Sequence, residues 1–193
     1  MTEVPSMTPE QARHALFGEI LTLEETRAAR FLPGALLPAA VQDACAQGEA
    51  LLRALAVIDD GAARSDEQDP QGEPALLRME AKLDVLTLLV AELAAAQERG
   101  DPRQPLVWSA RGVELVVSDP PAAGQQGLLR MRASDWLPTR LLLPAQVLAV
   151  QAESAGTRVW LAFVQLSPAL QSALERHVFR IHRREVAQLR RER

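Results

Sequence analysis

The chain has 193 residues, of which 48% are hydrophobic and 24% are charged, and its formal net charge is −4 at pH 7. This length and apolar content suffice for one domain with a buried core. No apolar run approaches the roughly 20 residues of a membrane span, so we expect no membrane insertion. The first residues carry neither a basic flank nor an apolar stretch, which argues against a signal peptide. The single cysteine, Cys45, excludes an internal disulfide framework and fits a cytoplasmic protein.

Charge is divided unevenly along the chain. Residues 1–102 hold 18 acidic and 8 basic side chains, a net of −10, whereas residues 103–193 hold 7 acidic and 13 basic, a net of +6. Seven arginines and two glutamates lie within residues 176–193. This cluster is either the solvated face of a helix or a surface for an acidic partner or a phosphate-bearing ligand. The acidic first half and the aromatic content of 4% disfavour nucleic acid as a partner.

The beginning of the chain predicts a flexible segment followed by the first part of a sheet domain. Residues 1–15 are polar and predict a flexible arm. Residues 16–38 begin with a partly alternating apolar pattern, which is typical of a strand. Arg27 and Arg30 follow this pattern, and turn-forming proline and glycine residues come after them.

Residues 39–102 predict an inserted helical hairpin. Apolar or small residues recur every three or four positions in residues 39–59, which is typical of a helix. The charged segment 59–72 predicts a loop. A second helix is expected between Pro74 and Gly100, because proline favours a helix start and glycine a helix end.

The second helix carries a heptad pattern, which is the strongest signal in the sequence. Its apolar residues are spaced 3, 4, 3, 4 and 3, like the a and d positions of helices that pack along a shared seam. We call the following residues the heptad seam: Leu76, Met79, Leu83, Leu86, Val90 and Leu93. Further apolar residues widen this face, which favours a bundle or a higher-order coiled coil as an oligomer contact. The alternative is that the helix packs only on the helix of residues 39–59 or on the sheet domain.

The remainder of the chain, residues 103–193, predicts short strands and a final helix. Strands are expected at residues 106–108, 112–117, 127–132, 141–152 and 156–166. Several antiparallel strands joined by tight turns favour a small barrel or sandwich. Ser167 and Pro168 favour the start of a C-terminal helix, since serine is a good N-cap and proline a good first residue.

No pattern in the sequence indicates catalysis. Glycine-rich dinucleotide and phosphate loops, zinc-protease motifs and nucleophile elbows are all missing. His177 and His182 are five residues apart on one predicted helix, so they occupy different faces and do not form a metal-binding pair. Cys45 lies within a helical apolar pattern and is interpreted as a core residue. We therefore expect neither an enzyme nor a metal or cofactor site.

A turn at residues 109–112 has a pattern that suits either structure or binding. Ser109 and Gly112 connect two predicted strands. The serine hydroxyl can bond nearby backbone, and glycine can adopt a positive φ angle. Any structural β-turn can carry the same residues, so this reading stays open.

In its element order the chain resembles a PilZ domain. The usual PilZ signature is Arg-x-x-x-Arg near the first strand and Asp/Asn-x-Ser-x-x-Gly in the next turn, and members that carry it bind the bacterial second messenger cyclic di-GMP. Their arginines hold phosphates and guanine edges. Here the turn keeps Ser109 and Gly112 but has Val107 in place of the acid or amide, and Arg27 and Arg30 are more closely spaced than in the signature. The resemblance implies a degenerate nucleotide site made of Arg27, Arg30, Ser109 and Gly112.

The long hairpin resembles the atypical, tetrameric type of PilZ protein, in which two long helices interrupt the barrel after its first strand. The matching segments are Met79–Asp84, Trp108–Val113 and Leu174–Phe179. The resemblance implies an α+β fold: a small antiparallel PilZ-like β-barrel, interrupted by a two-helix coiled-coil hairpin and followed by a C-terminal helix. It also implies a homotetramer built on a four-stranded parallel coiled coil, with weak or absent ligand binding.

These patterns together favour a non-catalytic signalling adaptor in cyclic di-GMP-linked regulation. Its expected partners are other copies of the chain and a signalling protein of unknown identity. One alternative is a direct cyclic di-GMP receptor that uses Arg27, Arg30 and the turn of residues 109–112. Another alternative is a structural scaffold without a ligand.

Overall fold

The computed structural model describes residues 7–65, 83, 86, 90, 100–134, 139–154 and 156–191, and of residues 57–65 and 191 it describes the backbone alone. The helices in this part are α1 (Pro9–Phe17), α2 (Pro38–Ser65) and α3 (Pro168–Arg191). The strands are β1 (Thr22–Pro33), β2 (Arg103–Ser109), β3 (Gly112–Val117), β4 (Gln126–Arg132), β5 (Arg140–Glu153) and β6 (Gly156–Phe163). No helix in the described residues is both long enough and apolar enough to cross a membrane.

The six strands form one antiparallel sheet in the order β1-β2-β3-β6-β5-β4. β1 is long enough to pair twice: its residues 22–28 pair with β2 and its residues 29–33 pair with β4. The order of paired strands therefore returns to β1. The predicted α+β class with an antiparallel sheet is confirmed, and the strands expected after Pro102 are found close to their predicted positions.

Helices cover both faces of the sheet. Side chains alternate between the two faces along each strand, and both faces carry apolar residues that pack against helices. On the inner face, which we define as the face toward α2 and α3, Trp108 packs in one core with Leu52 and Leu174. On the outer face, Leu16 of α1 packs in a separate small cluster with Trp160. A side chain's place in the sheet register thus decides which helix it contacts.

The start of the chain differs from the expected flexible arm, since residues 9–17 form helix α1. The Thr8 hydroxyl accepts the Gln11 N–H at 3.2 Å, and the Gln11 amide oxygen accepts the Thr8 N–H at 3.0 Å. This reciprocal capping box, with Pro9 at the first helical position, satisfies donors that a helix start otherwise leaves free. The strand expected from residue 16 begins at Thr22 instead and continues through Pro33.

The predicted hairpin is described in part. Helix α2 continues to Ser65, so the loop expected at residues 59–72 is wrong over residues 59–65. Within the heptad helix the structure describes Leu83, Leu86 and Val90, and all three are helical. The loop beyond residue 65 and the other residues of the heptad seam lie outside the described residues.

Candidate functional site

The turn of residues 109–112 lies under helix α1. Ser109 ends β2 on the outer face and is fully buried. Its hydroxyl donates a hydrogen bond to the Leu16 carbonyl oxygen at 2.7 Å and accepts the Arg111 N–H at 3.0 Å. The single hydroxyl donor of this serine is therefore used within the fold, and a ligand that needs it must displace the end of α1.

Gly112 is required by close packing. A Cβ atom at this position would lie 2.2 Å from the Leu161 carbonyl oxygen and 2.7 Å from Leu16 Cδ2. The expected positive φ angle is wrong, because the described glycines with positive φ are Gly124 and Gly156. Glycine at residue 112 thus allows β6 and α1 to approach β3.

Arg27 lies on the inner face of the sheet and is 6% exposed. Its NH1 donates hydrogen bonds to the carbonyl oxygens of Arg132 at 2.9 Å and Ala133 at 2.6 Å. Its Nε lies 2.6 Å from a carboxylate oxygen of Glu25, and its guanidinium lies 5.7 Å from the ring centroid of Trp108. Arg27 therefore fastens the end of β4 to β1 inside the core.

The surroundings of Arg27 form a buried polar cluster that sequence reasoning did not identify. The Trp108 indole N–H donates to the Glu25 carboxylate. His177 of α3 lies with its ring centroid 6.1 Å from that of Trp108, and its Nε2 is 3.0 Å from the Ala133 carbonyl oxygen. Glu25 and Arg27 are two residues apart on a strand and so share a face, which is the one local signal for this ion pair.

Arg30 lies on the outer face, next to a buried carboxylate. Its side chain is 53% exposed, and its Nε is 3.5 Å from Asp101, whose side chain is 5% exposed. Arg130, which is opposite Arg30 in β4, donates to both oxygens of Asp101, with an Nε to Oδ2 distance of 2.8 Å. Arg140 of β5 lies 3.8 Å from the same carboxylate. Asp101 therefore forms ion pairs with three arginines from three strands.

The structure does not bring the predicted nucleotide-binding residues together. Thr22 is the residue of β1 that lies opposite Ser109. Arg27 is five residues further along β1, about 17 Å away, and it points to the opposite face of the sheet. Arg30 is eight residues along, about 27 Å away, and it shares the face of Ser109. The two halves of the degenerate signature are thus separate in space.

Val107 faces a carboxylate across the strands. Its partner in β3 is Glu114, which is 2% exposed. The Glu114 carboxylate accepts hydrogen bonds from Arg158 at 2.6 Å and from the Trp160 indole at 2.9 Å. Arg158 also binds Glu153, and these bonds raise the pKa of the Arg158 guanidinium. The same hydrogen bond to Arg158 lowers the pKa of the Glu153 carboxyl. The Glu114 carboxylate is therefore engaged by protein groups.

The described part of the heptad seam is exposed in the single chain. Leu83, Leu86 and Val90 have 56%, 57% and 63% of their surface accessible. Large apolar side chains exposed in a row are typical of surfaces that contact another protein. These residues are available as an oligomer contact.

No metal site is found in the residues that the structure describes, where no three histidine, cysteine or acidic side chains are grouped to hold an ion. Cys45 is buried in the main core of the domain, and its thiol lies 3.7 Å from the Gln165 carbonyl oxygen. This placement agrees with its interpretation as a core residue.

Comparisons with known proteins identify the fold of this arrangement. The family model described as "Atypical PilZ domain, cyclic di-GMP receptor" matches residues 52–191. A crystal structure of a pathogenic protein from Xanthomonas campestris, described as a new tetrameric PilZ domain self-assembled via an unusual helical bundle, is 34% identical to the chain. The similarity covers 93% of this chain and 97% of that chain, with a TM-score of 0.81.

A second solved structure, YcgR in complex with c-di-GMP from Escherichia coli, is 18% identical and covers 47% of this chain and 40% of that chain, with a TM-score of 0.41. No curated protein sequence matches the chain. The family model spans well over half of the sequence, and the Xanthomonas protein matches nearly its full length. On this evidence the chain belongs to the atypical PilZ domain family.

Proposed function

We propose that this protein is a non-catalytic adaptor in cyclic di-GMP-linked signalling, which self-assembles and acts through protein contacts. The observation that carries the proposal is the hydrogen bond between Ser109 and the Leu16 carbonyl oxygen under helix α1. In the PilZ signature this serine belongs to the nucleotide turn. Here it serves to hold a helix against the sheet.

The geometry of the signature residues argues for weak or absent direct nucleotide binding. A nucleotide that used Ser109 would have to displace α1, and one that used Arg27 would have to break an ion pair in the core. Breaking a buried ion pair leaves an uncompensated charge, which is strongly unfavourable. Val107 in addition provides no acceptor for a guanine base.

Self-assembly in our proposal uses the heptad seam. The exposure of Leu83, Leu86 and Val90 supports this role, and the similar Xanthomonas protein is described as tetrameric through a helical bundle. We therefore propose a homotetramer with residues 39–102 as its oligomerisation unit, located in the cytoplasm. Several sheet domains on one assembly would raise the avidity for a clustered partner.

The proposal is tested by isothermal titration of the purified protein with cyclic di-GMP, with the mass determined by light scattering on the same sample. We expect a tetrameric mass and no measurable heat of binding. Affinity in the micromolar range or tighter would contradict the adaptor role and make the protein a direct receptor. A monomeric mass would contradict assembly through the heptad seam.

A direct cyclic di-GMP receptor is the second candidate. The half-exposed Arg30 beside Arg130 and Arg140 favours it, because guanidinium groups are suited to phosphate, and the matching family model is described as a cyclic di-GMP receptor. Loss of measured nucleotide affinity in Arg30→Ala, with no loss in Arg53→Ala as an exposed control on α2, would favour this candidate. A ligand-free scaffold, the third reading, would show neither nucleotide affinity nor any partner.

A further inference from the structure

The outward side of helix α3 carries a row of exposed basic residues. One side of the helix is buried in the main core through Leu174 and Val178. On another side four residues are spaced 3, 4 and 7 apart, which places them along one helix face. We call them the basic stripe: Arg176, Phe179, Arg183 and Arg190. All four side chains are exposed, and 54% of the Phe179 surface is accessible.

The arginines of the basic stripe differ from those of the sheet. Arg130 and Arg158 each bind a carboxylate. In the described part of the chain, no carboxylate forms an ion pair with the three arginines of the stripe. Arg183 does lie over the Phe179 ring, with its guanidinium carbon 6.0 Å from the ring centroid. The stripe therefore presents positive charge next to an exposed aromatic ring.

A groove between α2 and α3 borders this stripe. Arg176 lines it, and the groove encloses about 410 Å³. Its apolar lining is provided by both helices: Leu52, Ala56, Ala169 and Ala173. Glu49, Arg53 and Arg180 complete the lining. A partner that binds along the stripe would thus find a recess with both apolar and charged parts beside the arginines.

We propose that the basic stripe docks an acidic, amphipathic segment of the partner protein, an inference that rests on the adaptor role above. Carboxylates would bind Arg176, Arg183 and Arg190, and an apolar side chain of the segment would pack on Phe179 and the groove. Arginine and aromatic residues together are the types that dominate protein interfaces. The charge is complementary, because guanidinium groups bind carboxylates in a bidentate manner.

Other anionic partners fit the stripe less well. An amphipathic helix binds a membrane surface through its apolar face, and the apolar face of α3 is buried in the core. Single-stranded nucleic acid usually needs several stacking rings, whereas the stripe has only Phe179 in the described residues.

The test measures fluorescence anisotropy of a short fluorescein-labelled peptide of Glu, Asp and Leu, added to the full-length protein. We expect Arg176→Glu combined with Arg183→Glu to weaken binding by about tenfold or more. The matched control reverses two exposed arginines outside α3, Arg103→Glu with Arg111→Glu, and should change the affinity by less than about twofold. Phe179→Ser should weaken binding of the Leu-containing peptide but not of a peptide with Ser in place of Leu.

Four results would overturn the inference. They are failure of the peptide to bind, equal binding by the stripe and control variants, tighter stripe-dependent binding of single-stranded DNA or of phosphatidylserine vesicles, and loss of the oligomeric mass in the stripe variant. The last result would assign the stripe to the assembly. Titration with cyclic di-GMP on the same samples keeps a failure of the adaptor role distinct from a failure of the stripe.

Discussion

The Ser109 hydroxyl and the Leu16 carbonyl oxygen are 2.7 Å apart, and this hydrogen bond joins the end of β2 to the last turn of α1. Both groups are removed from solvent, since Ser109 is fully buried and Leu16 is 2% exposed. A buried carbonyl that loses its donor is costly. The contact therefore links the nucleotide-type turn of a PilZ domain to the stability of this fold.

Replacing Ser109 should destabilise the protein. We expect Ser109→Ala to lower the free energy of unfolding by about 1–3 kcal/mol, because the Leu16 carbonyl loses its buried partner. Urea denaturation followed by tryptophan fluorescence measures the change. Ser118→Ala, at an exposed position, is the control and should be close to neutral. Equal stability of the two variants would contradict the assigned role of the hydroxyl.

Adding a methyl group at Gly112 should be more harmful than adding one at an open glycine. Gly112→Ala places a carbon against the Leu161 carbonyl and Leu16, and such overpacking costs about 1–3 kcal/mol or more. Gly34→Ala is the matched control, because no atom lies within 4 Å of a Cβ there. The measurement is the midpoint of denaturant unfolding for both variants. A Gly112→Ala variant as stable as Gly34→Ala would show that β3 and β6 can separate at little cost.

The two arginines predicted to bind nucleotide should differ in their effect on stability. Arg27→Met leaves the partly buried Glu25 without its ion pair and the Arg132 and Ala133 carbonyls without their donor, and it should cost about 1–3 kcal/mol or more. Arg30→Met removes a half-exposed side chain 3.5 Å from Asp101 and should cost less than about 1 kcal/mol. Thermal and chemical unfolding of both variants provide the comparison. A larger loss of stability in Arg30→Met than in Arg27→Met would contradict our assignment of Arg27 as the arginine that stabilises the fold.

The contact between Glu153 and Arg158 predicts an acid-dependent contribution to stability. The hydrogen bond from Arg158 lowers the pKa of Glu153 below its ordinary value of 4.5. A lowered pKa means that the unfolded chain takes up the proton first, so the contribution is complete above 4.5 and is lost as the pH falls through the folded-state pKa. Glu153→Gln should therefore reduce stability at neutral pH and make no difference in strong acid.

The check is the free energy of unfolding of wild type and Glu153→Gln across this pH range. In an Arg158→Met background the same substitution should lose its pH dependence, because the partner that shifts the pKa is gone. A difference between wild type and Glu153→Gln that grows as the pH falls would contradict the sign of the shift.

Assembly should depend on the exposed residues of the heptad seam. Leu86→Asp puts a charge into a contact that should be apolar, and we expect it to reduce the mass measured by light scattering to that of smaller species. Leu37→Asp is the control, since Leu37 is also exposed, at 64%, but lies outside the heptad helix. A full-size assembly of the Leu86→Asp variant would place the oligomer contact elsewhere.

The strands after Pro102 were predictable because alternating apolar residues and turn residues mark them locally. β1 was less so: it continues beyond the alternating apolar pattern as far as the turn-former Pro33, since pairing with β4 in the closed strand order outweighs local preference. Helix α1 was missed although Thr8, Pro9 and Gln11 form a capping-box signature. Its apolar face has two fully buried residues, too few to produce a clear helical period.

The candidate site was predictable in composition but not in arrangement. Ser109 and Gly112 could be found from their spacing, whereas the direction of Arg27 depends on strand register, which a shift of one residue would reverse. The gathering of Arg30, Arg130 and Arg140 around Asp101 joins residues from distant segments. No local pattern contains such contacts, because they arise from long-range strand pairing.

The double pairing of β1 has a consequence for the newly made chain. β1 ends at Pro33, but its partners β2 and β4 begin only at Arg103 and Gln126. At roughly 5–20 residues per second, a ribosome needs several seconds to supply the first of these partners. During that interval β1 is an edge without neighbours, a known template for aggregation. Synthesis of residues 34–102 thus sets a minimum delay before the sheet can close.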